Sequence, residues 1–230
     1  MRNKKRILFF MINLSIGGAE WVVTNICNEF VKKNVDVTLL SVKGGELVNH
    51  LDEGVNIVTF NGNNLKAFWF AYRNLLFREY DAVFATQRFA SVILSFLHLF
   101  SFSNSTLTIR EAASNFGHSL KKNTEFRRLY YKIAYRRADK IISNSPGTLM
   151  SLLEEKIILN DDKVSIISNP LDINYIQEKS NEFIEDDINF SRHSLISVGR
   201  LVPKKKNGCD CSSYSKNQRK YTRCSTTNSG

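Results

Sequence analysis

Residues 6–20 read R-I-L-F-F-M-I-N-L-S-I-G-G-A-E, from Arg6 to Glu20, and the fold is decided there. Residues 7–12 form an unbroken apolar run with no polar alternation. A strand apolar on both sides is one covered on both faces, as in a parallel sheet with helices above and below. Asn13, Ser15, Gly17 and Gly18 break the run, and helical spacing then begins: Ala19, Val22, Val23, Ile26, Cys27 and Phe30 recur at threes and fours. Cys27 on that stripe reads as core rather than as a reactive thiol. Two adjacent glycines between a buried strand and a helix let the backbone come close to a ligand. They also leave the first helical N–H groups to an anion. A phosphate-bearing ligand at the carboxyl end of this strand is the first expectation. G-G-A-E is neither G-x-G-x-x-G nor a Walker sequence, and a plain tight turn fits it equally well.

Working outward, the same alternation of short apolar runs and helical stripes continues. Strands are expected over 36–42, 56–60, 82–85, 106–109, 140–143 and 164–167, with a Gly44-Gly45 turn after the second strand of the chain. Helices are expected over 65–78, with Phe68, Trp69, Tyr72, Leu75 and Leu76 on one side, and over 89–100, 125–138 and 146–158. Ser145-Pro146 is a helix start, the serine as N-cap and the proline at the first helical position. Asn169-Pro170 closes the last strand. Strand and helix alternate throughout, which predicts an α/β fold with a doubly wound (Rossmann-like) parallel sheet over residues 1–170. Residues 171–193 are polar and acidic and read as a linker. Leu195, Ile196 and Val198, followed by Gly199-Arg200, look like the first strand of a further domain over 194–203. From Lys204 to Gly230 there is no Val, Leu, Ile or Phe. Such a composition cannot repay the entropy of ordering, so disorder is expected there.

Charge and cysteines divide the chain in the same way. Of the formal +10, more than half lies in residues 204–230, which hold seven basic side chains and one acidic. Three of the four cysteines, Cys209, Cys211 and Cys224, are also there. A lone Cys27 in the body allows no disulfide framework, which fits a reducing cytoplasm. The first 14 residues imitate an export signal, yet Asn13 interrupts the apolar run and no small-residue cleavage site follows before Glu20, so a strand is the better reading. Residues 90–102, the longest later apolar stretch, are interrupted by Ser95, His98 and Ser101 and fall short of the roughly 20 needed to span a bilayer. Nucleic-acid binding has no recognition motif behind it, and zinc at the three tail cysteines has neither a fourth ligand nor the usual spacing.

Four segments in order give the chain a family likeness: G-G-A-E at 17–20, A-D-K-I-I-S-N-S at 138–145, V-S-I-I-S-N-P-L-D at 164–172 and S-V-G-R-L-V-P-K-K at 197–205. Together they resemble the family 4 glycosyltransferases, retaining enzymes of the two-domain GT-B fold. The resemblance implies an amino-terminal, acceptor-side half of such an enzyme. It implies transfer of a sugar from a nucleotide-sugar donor to a lipid-linked or polysaccharide acceptor in bacterial surface-polysaccharide assembly, with no metal and no other cofactor. Gly17 and Gly18 match the family's glycine loop, which faces the donor phosphates and the sugar. Arg200 and Lys205 match the basic pair that clamps the donor diphosphate. Where many relatives carry a histidine at the end of the fifth strand, this chain has Arg110, followed by Glu111; these two would contact sugar or acceptor, or pair with each other. His50, His98, His118 and His193 fall in no motif slot, with His118 in an expected cleft loop.

The pattern stops at Lys205, and the E-x7-E motif of the donor domain does not follow. Adenine-rich lysine codons at 204–206 invite slippage, so a frameshift there, an out-of-frame tail and an inactive chain are expected. Residues 121–140 hold eight basic and two acidic side chains, with Phe126, Leu129, Tyr130, Ile133 and Ala134 on one helical face. Such a helix fits peripheral contact with an anionic membrane, or a core helix with a solvated outer side. Phe68, Trp69 and Phe70 beside Lys66 and Arg73 carry the same two readings. The competing function is a non-catalytic α/β module that holds an acceptor or a partner.

Overall fold

The structure is a computed structural model that describes residues 4–77, 80–101, 103–112, 124–171 and 173–182. The chain forms two compact units, Met1–Gln177 and Glu178–Gly230. The described part of the second unit is the end of one helix, with an ion pair between Lys179 and Glu182. The expected strand at 194–203, the tail at 204–230, Arg200, Lys205, His118, His193 and the tail cysteines all lie outside the described residues.

In chain order the elements are β1 (Arg6–Met11), α1 (Gly18–Lys32), β2 (Asp36–Ser41), a 3₁₀ turn (Glu46–His50), β3 (Val55–Thr59), α2 (Asn64–Phe77) and β4 (Ala82–Ala85). They continue with α3 (Arg88–Ser101), β5 (Thr106–Glu111), α4 (Thr124–Arg137), β6 (Lys140–Ser143), α5 (Pro146–Glu154), β7 (Val164–Ile166) and α6 (Ile173–Ser180). All seven strands are parallel and lie in the order β3-β2-β1-β4-β5-β6-β7. Strand β1 is interior, with Phe9 opposite Leu39 on one side and Phe84 on the other. The chain winds outward from β1 to β3, returns, and winds the other way from β4. The carboxyl ends of β1 and β4 therefore flank the topological switch point, where ligands bind in sheets of this kind.

Two cores flank the sheet, as the uninterrupted apolar run of β1 requires. Leu8, Phe10, Val83, Ala85, Leu107 and Ile109 point to one face and pack under α2, α3 and α4. Phe9, Met11, Leu39 and Phe84 point to the other and pack with Val23 and Cys27 of α1. Side chains of this size, fully buried, contribute roughly 1.5–3 kcal/mol each. Burial pushes the Cys27 thiol up, so it is a core residue.

The structure corrects the expected elements in three places. The inward face of α2 is Ala67, Ala71, Asn74 and Leu75, while Trp69 and Leu76, expected on the packed side, are exposed. Small alanines let the helix sit close to the sheet, and the larger side chains are displaced outward. Strand β5 runs two residues past Ile109 and so includes Arg110 and Glu111. A 3₁₀ turn over Glu46–His50 follows the Gly44-Gly45 turn. Gly45 sits at φ 145°, where a Cβ would stand 2.3 Å from the Leu14 carbonyl carbon. Only glycine fits this position, and the turn it makes braces the β1–α1 connection: the Leu14 N–H donates to Gly44 O at 2.7 Å.

Candidate active site at the carboxyl edge of the sheet

Helix α1 begins at Gly18 with Gly17 as its N-cap in extended backbone, and among the described residues no side chain caps it. Its first amides are thus left to water or to an anion, and the helix dipole favours the anion. A side chain added at Gly18 would meet nothing within 4 Å. Gly18 therefore keeps open the space before the helix, rather than relieving a strained turn.

Three consecutive residues after β4 tie the neighbouring strand ends together. Thr86 Oγ1 accepts from Arg110 Nη1 at 3.0 Å. Gln87 Oε1 accepts from the Ile12 N–H at 2.6 Å, and its amide nitrogen donates to Glu20 Oε1 at 2.7 Å and to Asn13 Oδ1 at 3.3 Å. Gln87 thereby spans the switch point and holds both flanks of the glycine loop. Arg88 Nε donates to both Glu111 oxygens, at 3.0 and 3.2 Å. Sequence reasoning missed all three. Their one signal is that polar side chains directly follow a buried apolar strand.

Arg110 and Glu111 do not pair with each other. Successive strand residues point to opposite faces, so Glu111 projects under α3 and α4 while Arg110 projects to the α1 side. Glu111 is shut in: besides Arg88, the Tyr135 hydroxyl donates to Oε2 at 2.6 Å, and the carboxylate side chain is only 3% exposed. Tyr135 is fully buried, and that burial, reinforced by the Glu111 charge, holds its phenol well above the ordinary range. Glu111 is thus committed to packing α3 and α4 against β5, with Arg88 and Tyr135 as the residues that sequence reasoning did not find.

Arg110 has a different company. It is buried, yet its guanidinium donates to the neutral Thr86 hydroxyl and to the Asn169 side-chain oxygen. Desolvation lowers its pKa, with the Glu111 charge acting in the opposite sense. It lies at the edge of a groove of about 340 Å³ lined by Phe9, Phe30, Phe84, Thr108, Ile142 and Pro170, among others. Asn169 comes from the S-N-P segment, so one of the family-like motifs serves to orient this arginine. The S-N-S segment works locally: Ser145 caps α5 by accepting from the Thr148 N–H at 3.2 Å, and Asn144 donates to Ala112 O at 3.0 Å. Among the described residues no three His, Cys, Asp or Glu side chains converge on a metal-sized site.

Comparison with known proteins agrees with this architecture. The crystal structure of HepE from Anabaena in complex with UDP-glucose has a TM-score of 0.51 and 18% identity, and covers 74% of this chain and 45% of that one. The same protein with UDP and glucose has a TM-score of 0.50 and 16% identity, over 76% of this chain and 50% of that one. These likenesses show the fold, the Rossmann-like sheet of GT-B glycosyltransferases, and this chain spans about half the length of those structures. An uncharacterized glycosyltransferase of Haemophilus influenzae is 38% identical over 58 residues, 25% of this chain and 16% of that protein. The profile of Glycosyltransferase Family 4 matches residues 16–175, from the glycine loop through Arg110 to α6. With more than half of its length under that match, the chain belongs to Glycosyltransferase Family 4.

Proposed function

We propose that the chain is the acceptor-side half of a retaining, metal-free glycosyltransferase. It would move a sugar from a nucleotide-sugar to a lipid-linked or polysaccharide acceptor in cell-surface polysaccharide synthesis, on the cytoplasmic side. The observation that carries this reading is the uncapped amino terminus of α1 at the switch point, open in front of Gly18, in a chain of this family. A nucleoside diphosphate gains negative charge as it leaves the sugar. Fixed amides and cations aimed at that charge stabilise the transition state without reorganising. Gly17 and Gly18 would supply the approach to the donor diphosphate and sugar, and Arg110 a cation not matched by a carboxylate contact. Arg200 and Lys205 would clamp the diphosphate, a role that rests on their motif alone. Glu111 acts through others, as a positioning residue that fixes Arg88 and α3.

Titration with uridine diphosphate, followed through the backbone amide signals of Gly17, Gly18 and Ala19, tests the reading. The expected result is a saturable shift of those three signals that disappears in Gly18→Val. That substitution meets open space and leaves the melting temperature in place. Absence of the shift at saturating nucleotide, or its persistence in Gly18→Val, would overturn the assignment.

A further inference from the structure

Gln87 stands between a strand and a helix, where a short polar side chain would cap the helix. Its carbonyl oxygen accepts the first bond of α3, from the Ser91 N–H at 2.8 Å, and also the Ser91 hydroxyl at 3.1 Å. Glutamine does not cap as Ser, Thr, Asp or Asn do, and its side chain turns away from α3. It crosses the switch point to the β1–α1 connection instead. There its oxygen takes the Ile12 N–H, and its nitrogen faces Glu20 Oε1, Asn13 Oδ1 and Asn13 O at 2.7, 3.3 and 3.4 Å. One orientation of the amide satisfies all of these contacts; the reverse would set its oxygen against three others. Gln87 is thus fixed at both ends, by α3 and by β1, and the shortest bond its nitrogen makes is to the Glu20 carboxylate.

What that bond prevents follows from helix geometry. With Gly17 as N-cap, Glu20 is the third residue of α1. A glutamate there can turn back and accept from the N–H of the N-cap residue. In this chain it does not: Glu20 Oε1 is held on Gln87, and among the described residues the Gly17 N–H has no hydrogen-bond partner. A carboxylate turned back would occupy the amides and put a negative charge where an incoming diphosphate needs a positive one. The chain carries its own competitor for the anion and holds it aside.

We propose that Gln87 is a positioning residue: it draws the Glu20 carboxylate off the amino terminus of α1 and so keeps that terminus open to the donor diphosphate. The role rests on the donor reading of that terminus, whereas the clasp itself is read without nucleotide. Gln87→Glu keeps an oxygen for the Ile12 N–H but repels Glu20; Gln87→Ala removes the amide altogether. In both, the Glu20 carboxylate turns back, and hydrogen exchange at the Gly17 amide of the nucleotide-free chain slows about fivefold, the weight of one helix cap. Affinity for uridine diphosphate falls by a similar factor. Adding Glu20→Ala to either variant returns both readouts to wild type, which a merely structural role of Gln87 would not allow. Glu20→Ala alone does not weaken nucleotide binding. Unchanged Gly17 exchange in both Gln87 variants would overturn the proposal. So would a loss of affinity that Glu20→Ala fails to rescue, or a loss caused by Glu20→Ala alone, which would make Glu20 a ligand contact. A wild-type chain that binds no uridine diphosphate refutes the donor reading instead, and Gly17 exchange then still decides whether Gln87 holds Glu20 aside.

Discussion

Strand β5 ends in two charged residues that are neighbours in sequence and opposites in setting. Glu111 faces α3 and α4, where Arg88 and Tyr135 occupy its oxygens and its side chain is 3% exposed. Arg110 faces the other way, over an open groove, and among the described residues its guanidinium hydrogen-bonds to the neutral oxygens of Thr86 and Asn169 alone. A buried charge whose opposite is already present is a fastener. One that is equally buried but held by neutral groups retains its full charge for an anion that comes from outside. The pleat of one strand thus sends the fastened carboxylate and the arginine proposed to meet a ligand to opposite faces within two residues.

The sharpest way to break this contrast is to remove Arg88. Arg88→Ala removes the ion-pair partner of the buried Glu111 carboxylate, and breaking a buried pair costs about 3–5 kcal/mol. Denaturant unfolding should show a loss of that size. A loss under about 1 kcal/mol, the range of exposed pairs, would mean that Glu111 is accessible and available for chemistry. Adding Glu111→Gln to Arg88→Ala should restore part of the stability, because the stranded charge is then gone.

Tyr135→Phe is the intermediate case. It deletes one hydrogen bond to a charged acceptor, worth roughly 1.5–3 kcal/mol, while Arg88 still neutralises Glu111. It also has a pH signature. Burial, then the Glu111 charge, raises the native phenol above its ordinary 10.0. The folded chain therefore keeps a proton that the unfolded chain releases. Its contribution is intact below pH 10.0 and is lost as pH rises from there through the higher native value. The stability gap between wild type and Tyr135→Phe should narrow over that alkaline window and stay constant below it; a gap that instead narrows toward acid pH would contradict the assignment.

The pattern of the sheet was legible because alternation and periodicity are local. The β1 run, the Ser145-Pro146 helix start and the Gly44-Gly45 turn each announce themselves within a few residues, and each stands in the structure. Helix α2 misled because it has two apolar stripes, and spacing alone cannot say which faces in. The alanine stripe wins because Ala67 and Ala71 allow a close approach to the sheet, which leaves Trp69 outside. The candidate site could be proposed from the sequence only where a motif (Gly17, Gly18) or a departure from the family pattern (Arg110) marks it; the side chains that hold these positions could not. Gln87 reaches Ile12 across 75 positions, and Arg110 reaches Asn169 across 59. No window on the sequence contains both members of such a pair. Ending β5 at Ile109 also hid the alternation that sends Arg110 and Glu111 to different faces.

Arg110→Met is the finest probe of the contrast, since it should change stability least and binding most. Burying a guanidinium without a carboxylate contact costs several kcal/mol. Its hydrogen bonds to Thr86 and Asn169, each of the charge-assisted kind, return roughly 1.5–3 kcal/mol apiece. The two nearly cancel, and methionine fills a similar length without leaving a cavity. Stability should therefore move by about 1 kcal/mol or less, while affinity for uridine diphosphate falls by about tenfold through the lost charge-assisted contact. Arg88→Ala should show the reverse ranking, a large stability loss with its effect on nucleotide confined to what unfolding explains. If Arg110→Met proves as destabilising as Arg88→Ala and leaves nucleotide binding unchanged, Arg110 is a fastener like Glu111. The ligand-facing role then has to come from the amino terminus of α1 alone.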